Sequence, residues 1–179
     1  MNSVYPPAED SELLLEVAAE EVRGNDEVLE IGVGSGFVSS RLIGRCKLVI
    51  GTDISPHAVR EAKSKGVEVI RTYLARGIKR KFSLILFNPP YLELDDLEKR
   101  GDWLEKAIDG GRYGVEVISR FIDEAGDFVR DDGRIILIVS SHNLPFIKEK
   151  LKSRFYFGIA GRKKVFFEEI LALRLKKKK

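Results

Sequence analysis

The chain has 179 residues, 44% of them hydrophobic, with a net charge of +3 and a single cysteine. That length suits one domain with a real core, taken here as residues 1–175 with a lysine tail at 176–179, and Cys46 alone excludes an intrachain disulfide and fits a reducing compartment. No apolar run is long enough for a membrane span, no basic-then-apolar leader follows Met1, and the near-neutral body argues against a protein built to grip long nucleic acid. A cytoplasmic location is expected. Charged residues reach 33% and glutamine is absent, a bias that fits a hyperthermophile.

Residues 1–26 form the N-terminal segment. Tyr5-Pro6-Pro7-Ala8-Glu9-Asp10-Ser11 precedes Leu13, Leu14, Leu15, Val17 and Ala18, which are apolar at helical spacing. Asp10 or Ser11 is read as the helix N-cap, with acids in the first turn. Glu27 to Ile31 then reads as a strand, Gly32-Val33-Gly34-Ser35-Gly36 as a turn, and Phe37 to Ile43 as a helix. Glycines there let a ligand approach bare backbone at a helix N-terminus. The spacing is G-x-G-x-G, and Phe37 stands where the dinucleotide fingerprint needs its third glycine. The loop is therefore more like an S-adenosylmethionine site than a nicotinamide site, and a dehydrogenase is a distant alternative. Glu30 is placed to accept from a ligand ammonium group.

Leu48 to Asp53 is a second apolar strand ending in a carboxylate, 21 positions after Gly32. In a βαβ unit an acid there can accept from both hydroxyls of a ribose. Ser55 caps the next helix, with Pro56 at its first position. Val67 to Thr72 forms a third strand, expected at the edge of a doubly wound sheet, where aliphatic side chains need a cover. A basic loop follows.

Phe82 to Phe87 is a buried strand, and it ends in Asn88-Pro89-Pro90-Tyr91. The second proline keeps the first out of helical geometry, so this tip is stiff. Neither proline has an N–H, which leaves the tip rich in carbonyl acceptors, with the Asn88 side chain adding another. Two acceptors and the flat face of Tyr91 can grip a planar group that bears an NH2. The alternative is a rigid turn after a core strand.

Leu92 to Asp109 reads as a long acidic loop carrying Trp103, and Gly110-Gly111-Arg112-Tyr113-Gly114 breaks the chain before a helix from Val115 to Val129. Asp131-Asp132-Gly133 is read as a turn, Arg134 to Val139 as a strand and Asn143 to Lys152 as a helix. Tyr156 to Ile159 and Ile170 to Leu175 are read as a closing antiparallel hairpin around Gly161-Arg162-Lys163-Lys164. His57, His142 and Cys46 have no metal-ligand spacing.

The fold expected is α/β, a doubly wound Rossmann-like sheet of seven mostly parallel strands with a C-terminal antiparallel hairpin. Tyr5 to Ser11, Glu30 to Gly36, Asp53, Asn88 to Tyr91 and Gly110 to Arg112 together resemble the HemK/PrmC-like protein glutamine methyltransferases, over nearly the whole chain. The resemblance is to the archaeal and eukaryotic branch without the N-terminal helical domain.

It implies S-adenosylmethionine as cofactor and transfer of a methyl group to the Gly-Gly-Gln glutamine of the class-1 translation termination factor. It also implies a heterodimer with a small zinc-binding activator, which the Val67 to Thr72 edge would pair. Ser11, Glu30, Gly32, Gly34, Gly36 and Asp53 would hold the cofactor. Asn88 would lie between cofactor and substrate, with Pro89, Pro90 and Tyr91 at the substrate amide. One position departs from the family. Tyr73, followed by Leu74, stands where the family has an aspartate beside the adenine; a tyrosine there could stack on that base or donate from its hydroxyl. The alternatives are the same fold acting on adenine or guanine amines in nucleic acid, and a catalytically silent scaffold subunit.

Overall fold

The computed structural model describes residues 4–92, 103–165 and 168–178. Seven strands form one sheet: β1 (Glu27–Ile31), β2 (Leu48–Asp53), β3 (Glu68–Arg71), β4 (Phe82–Phe87), β5 (Val129–Ser140), β6 (Phe155–Val165) and β7 (Glu168–Lys177). Their order is β3-β2-β1-β4-β5-β7-β6. The first five strands are parallel, and β7 lies antiparallel to both β5 and β6. The helices are α1 (Glu9–Glu21), α2 (Ser39–Leu42), α3 (Pro56–Ser64), α4 (Trp103–Ile108), α5 (Glu116–Phe128) and α6 (Leu144–Arg154).

The strand period divides the core in two. Leu29 and Ile31, Ile85 and Phe87, and Ile135, Leu137 and Val139 pack under Phe121, Ile122 and Phe128 of α5 and Ile147 and Leu151 of α6. Their neighbours Val28, Leu84, Leu86, Ile136 and Ile138 face Leu13, Leu14, Val17 and Ala18 of α1 on the other side. Both faces are covered, so the central strands carry few polar residues. Chain order runs outward from the β1–β4 contact in both directions, which opens a crevice at the carboxyl ends of those strands. Among the described residues no helix is long and apolar enough to cross a membrane.

The sheet, its hairpin and β3 at an edge match the expectation, and four local readings need correction. The N-cap of α1 is Ala8, with no side-chain bond, because the Asp10 side chain turns inward and is buried. The helix after the glycine loop shortens to Ser39–Leu42, since the chain is still turning at Phe37. Strand β5 starts at Val129, before the expected Asp131-Asp132-Gly133 turn, and a register shift against β4 absorbs those residues. Gly161 to Lys164 lie within β6, not at a hairpin turn; an added Cβ on Gly161 would meet Val17 at 2.7 Å, so glycine there lets the strand pass close to α1. The acidic residues Glu93, Asp95, Asp96, Glu98 and Asp102 fall outside the described residues, whereas Trp103 begins α4.

Candidate active site

At the crevice, β1 leads into three glycines in left-handed geometry, Gly32 (φ 65°), Gly34 (φ 51°) and Gly36 (φ 76°). A side chain on Gly36 would also strike Ala62 of α3, 3.0 Å away at Cα and at Cβ. The turn therefore needs glycine for conformation and, at Gly36, for clearance as well. Asp53, at the end of β2, is tied to this loop. Its Oδ2 accepts from the Gly34 N–H at 3.0 Å and its Oδ1 from the Ser55 N–H at 2.8 Å. Ser55 caps α3 as expected, accepting from Ala58 N–H at 3.4 Å. Burial raises the Asp53 carboxyl above its ordinary range, against the pull of these backbone donors.

Glu30 lines the same cavity, but one of its oxygens is already engaged. Oε2 accepts from the Ser39 N–H at 2.9 Å and from the Ser39 hydroxyl, so the acid anchors the start of α2. Burial pushes its pKa up to about 7.

The cavity, about 190 Å³, runs from this loop to the tip after β4. Ser11, Glu30, Gly32, Gly34, Asp53, Tyr73, Leu74 and the whole Asn88 to Tyr91 run line it, so the structure brings the expected residues together. Gly36 is not in the lining; it sets the packing behind the loop. Leu74 is buried in left-handed geometry at φ 51°. The Arg76 and Arg120 guanidinium groups lie 4.9 and 5.6 Å from the Tyr73 ring centre, and the Tyr73 hydroxyl accepts from Arg120 at 3.1 Å. That hydroxyl is thus already held by a cation.

At the tip, Asn88 Oδ1 is shielded from solvent and has no hydrogen-bond partner among the described residues. Such an atom costs roughly 1–3 kcal/mol and calls for an explanation. The tip is braced from below. Added Cβ atoms on Gly110 and Gly114 would lie 2.7 Å from the Pro90 carbonyl oxygen and 2.0 Å from that of Tyr91. Only glycine fits at either position, which gives Gly110 and Gly114 a structural reason. Asn143 completes the brace by donating to the Tyr113 carbonyl at 2.8 Å.

Sequence reasoning missed Tyr5, Asp10, Trp103 and Lys106 as lining residues. A signal existed for Asp10. It falls on the same helical stripe as Leu13, Leu14 and Val17, where an acid is out of place. For α4 there was none, since it meets the cavity only through the tertiary fold. Among the described lining residues the acids are Asp10, Glu30 and Asp53, and the cation is Lys106, whose ammonium lies 4.6 Å over the Trp103 ring.

A glycine turn after β1, an acid ending β2 and an acceptor-rich tip after β4 define a class I S-adenosylmethionine-dependent methyltransferase. No protein-family model matches the chain. It is 39% identical over 181 residues to a putative protein N5-glutamine methyltransferase of Methanocaldococcus jannaschii, covering 95% of this chain and 90% of the relative. It is also 39% identical over 174 residues to mouse methyltransferase HEMK2, covering 88% and 80%. Among solved structures, the complex of E. cuniculi Mtq2 with Trm112, responsible for methylating the translation termination factor eRF1, matches with a TM-score of 0.78 and 25% identity, over 99% of this chain and 100% of that one. The chain belongs to the protein N5-glutamine methyltransferase family that includes HEMK2.

Proposed function

We propose that this protein transfers a methyl group to the side-chain amide nitrogen of the Gly-Gly-Gln glutamine in a class-1 translation termination factor. The observation that carries the reading is the unpartnered side-chain oxygen of Asn88, a residue that lines the cavity together with Asp10, Glu30 and Asp53. S-Adenosylmethionine, when bound, supplies the methyl group on a sulfonium centre. The residues present fit that cofactor. Asp53 retains lone pairs for ribose hydroxyls, and Ser39 engages only Oε2 of Glu30, which leaves Oε1 to take an ammonium group. Gly32 and Gly34 leave room at the loop, while Ser11, Tyr73 and Leu74 close the remaining walls.

An amide nitrogen is a weak nucleophile, because its lone pair is delocalised into the carbonyl. Asn88 Oδ1 and the Pro89 carbonyl accept its two N–H bonds and turn the nitrogen towards the methyl group. Positioning of this kind can lower a barrier by roughly 7–11 kcal/mol at its limit. The same acceptors stabilise the positive charge that grows on nitrogen as the new N–C bond forms. Pro90 keeps the tip rigid, and the Tyr91 ring packs on the amide plane. The proton then leaves the nitrogen for water, so no strong general base is required. Transfer of labelled methyl to a purified termination factor tests the reading. Asn88→Ala should lose at least roughly 100-fold in turnover while still binding cofactor, and near-normal turnover would sink it. Label on nucleic acid instead would move the activity to nucleobase amines, which the same two acceptors could hold.

For the partner, we propose that a small zinc-binding activator adds a strand to the free edge of β3. Ile70 is 44% exposed on that edge while Val69 faces the core. Exposed backbone and an aliphatic side chain favour strand addition. Ile70→Asp should abolish co-purification of the activator, and an intact heterodimer would refute this placement.

A further inference from the structure

One buried group beside the tip has no part in the mechanism above. Asp10, at the second position of α1, is 3% exposed. A carboxylate buried that deeply must be hydrogen-bonded or it destabilises the fold. Its Oδ1 accepts from the Ser11 N–H at 2.6 Å and the Ser11 hydroxyl at 3.2 Å, and its Oδ2 accepts from the Tyr91 hydroxyl at 3.1 Å. Burial, with the Asp10 carboxylate nearby, pushes the Tyr5 hydroxyl up to about 12. Asp10 thus joins the N-terminal segment that covers the cavity to the tip at its far side.

We propose that Asp10 is a positioning residue: its carboxylate fixes the Tyr91 ring as the wall of the acceptor slot. The backbone at Tyr91 is already stiff, following two prolines and braced by Gly114, so the ring's freedom lies in its own side-chain torsions. A bond from the far end of the ring to a buried acceptor removes that freedom. Without it the ring keeps its volume but not its orientation, and the substrate amide loses the face that aligns it. In Tyr91→Phe the loss falls on turnover with both substrates saturating, because the Ser11 bonds go to the other oxygen of Asp10 and remain.

The inference rests on the amide-methylation reading, and its test has two parts. The first is kcat of the full chain with its activator, for the wild type, Asp10→Ala, Tyr91→Phe and the double variant. Each single change should lower kcat at least roughly 10-fold, and the double should be no slower than the slower single. Effects that multiply, or a Tyr91→Phe enzyme at full rate, overturn the proposal. The second part is NMR of ring-labelled tyrosine, assigned by the signal lost in Tyr91→Phe. Tyr91 should give one narrow resonance in the wild type and a shifted or broadened one in Asp10→Ala; identical spectra overturn the proposal. Asp10→Ser, which still serves the Ser11 N–H but falls short of Tyr91, takes the place of Asp10→Ala if that variant does not fold. A wild type that moves no methyl to a termination factor defeats the functional reading, while the tyrosine spectra still decide the link.

Discussion

The two ends of the sheet use the same residue types in opposite ways. At the amino ends of the strands, Arg134 spans Asp26 and Glu21: Nη2 to Asp26 Oδ2 at 2.7 Å, Nη1 to Asp26 Oδ1 at 3.1 Å and Nε to Glu21 Oε2 at 3.0 Å. Ser83 donates to Asp26 at 2.7 Å and accepts from the Glu27 N–H at 3.0 Å. Burial alone would raise the Asp26 carboxyl, but the bonds from Arg134 and Ser83 outweigh it and hold the group below its ordinary value. At the carboxyl ends, burial wins. Glu30 and Asp53 are both raised, held by Ser39 and by backbone N–H groups, with no cation paired to either among the described residues. Charges that hold the fold are paired within the fold. Charges at the crevice keep capacity for a ligand.

Removing a partner at the lower end should therefore damage stability, while removing an acceptor at the upper end should damage chemistry. Arg134→Met leaves Asp26 buried without its cation, a change that typically costs about 3–5 kcal/mol. Urea unfolding should show that loss, with methyl transfer per folded molecule unchanged. Asn88→Ala should show the reverse, since Asn88 Oδ1 has no bond to lose. An Arg134→Met protein within about 1 kcal/mol of the wild type would break the comparison, because the lower cluster would then be as dispensable to the fold as the upper one.

The contrast also explains what could be read from the sequence. Continuous apolar runs such as Leu84-Ile85-Leu86 and Ile135 to Val139 declare buried strands, and the glycines, Asp53 and Asn88 to Tyr91 declare a site, because in each case the local pattern carries the meaning. Asp10 and Tyr91 are 81 positions apart, and their bond exists only once α1 lies over the sheet. Asp10 was therefore read as a cap, a role its residue type fits equally well. The length of β6 was hidden for a similar reason. Gly161 followed by three basic or polar-headed residues reads as a turn, whereas its actual constraint is the approach of Val17 and Leu13 from α1. The engagement of Glu30 by Ser39 was just as invisible, although only nine positions separate the two.

Glu30 offers a smaller effect that sharpens the comparison through pH. Its folded pKa of about 7 lies above the group's ordinary value of 4.5, so between those values the folded protein holds a proton that the unfolded chain has released. This group's contribution to stability therefore falls as pH rises from 4.5 to 7. Asp26 acts in the other direction and in another window: its pKa is lowered from 3.8, and its contribution is lost as pH falls below that value. If Glu30 takes the cofactor's ammonium group, it must do so as the carboxylate. Cofactor affinity measured by calorimetry should then rise about tenfold per pH unit on the acid side of 7 and level off above it. In Glu30→Gln the slope should vanish. A slope of the same size in that variant would assign the titration elsewhere and leave Glu30 as no more than the anchor of α2.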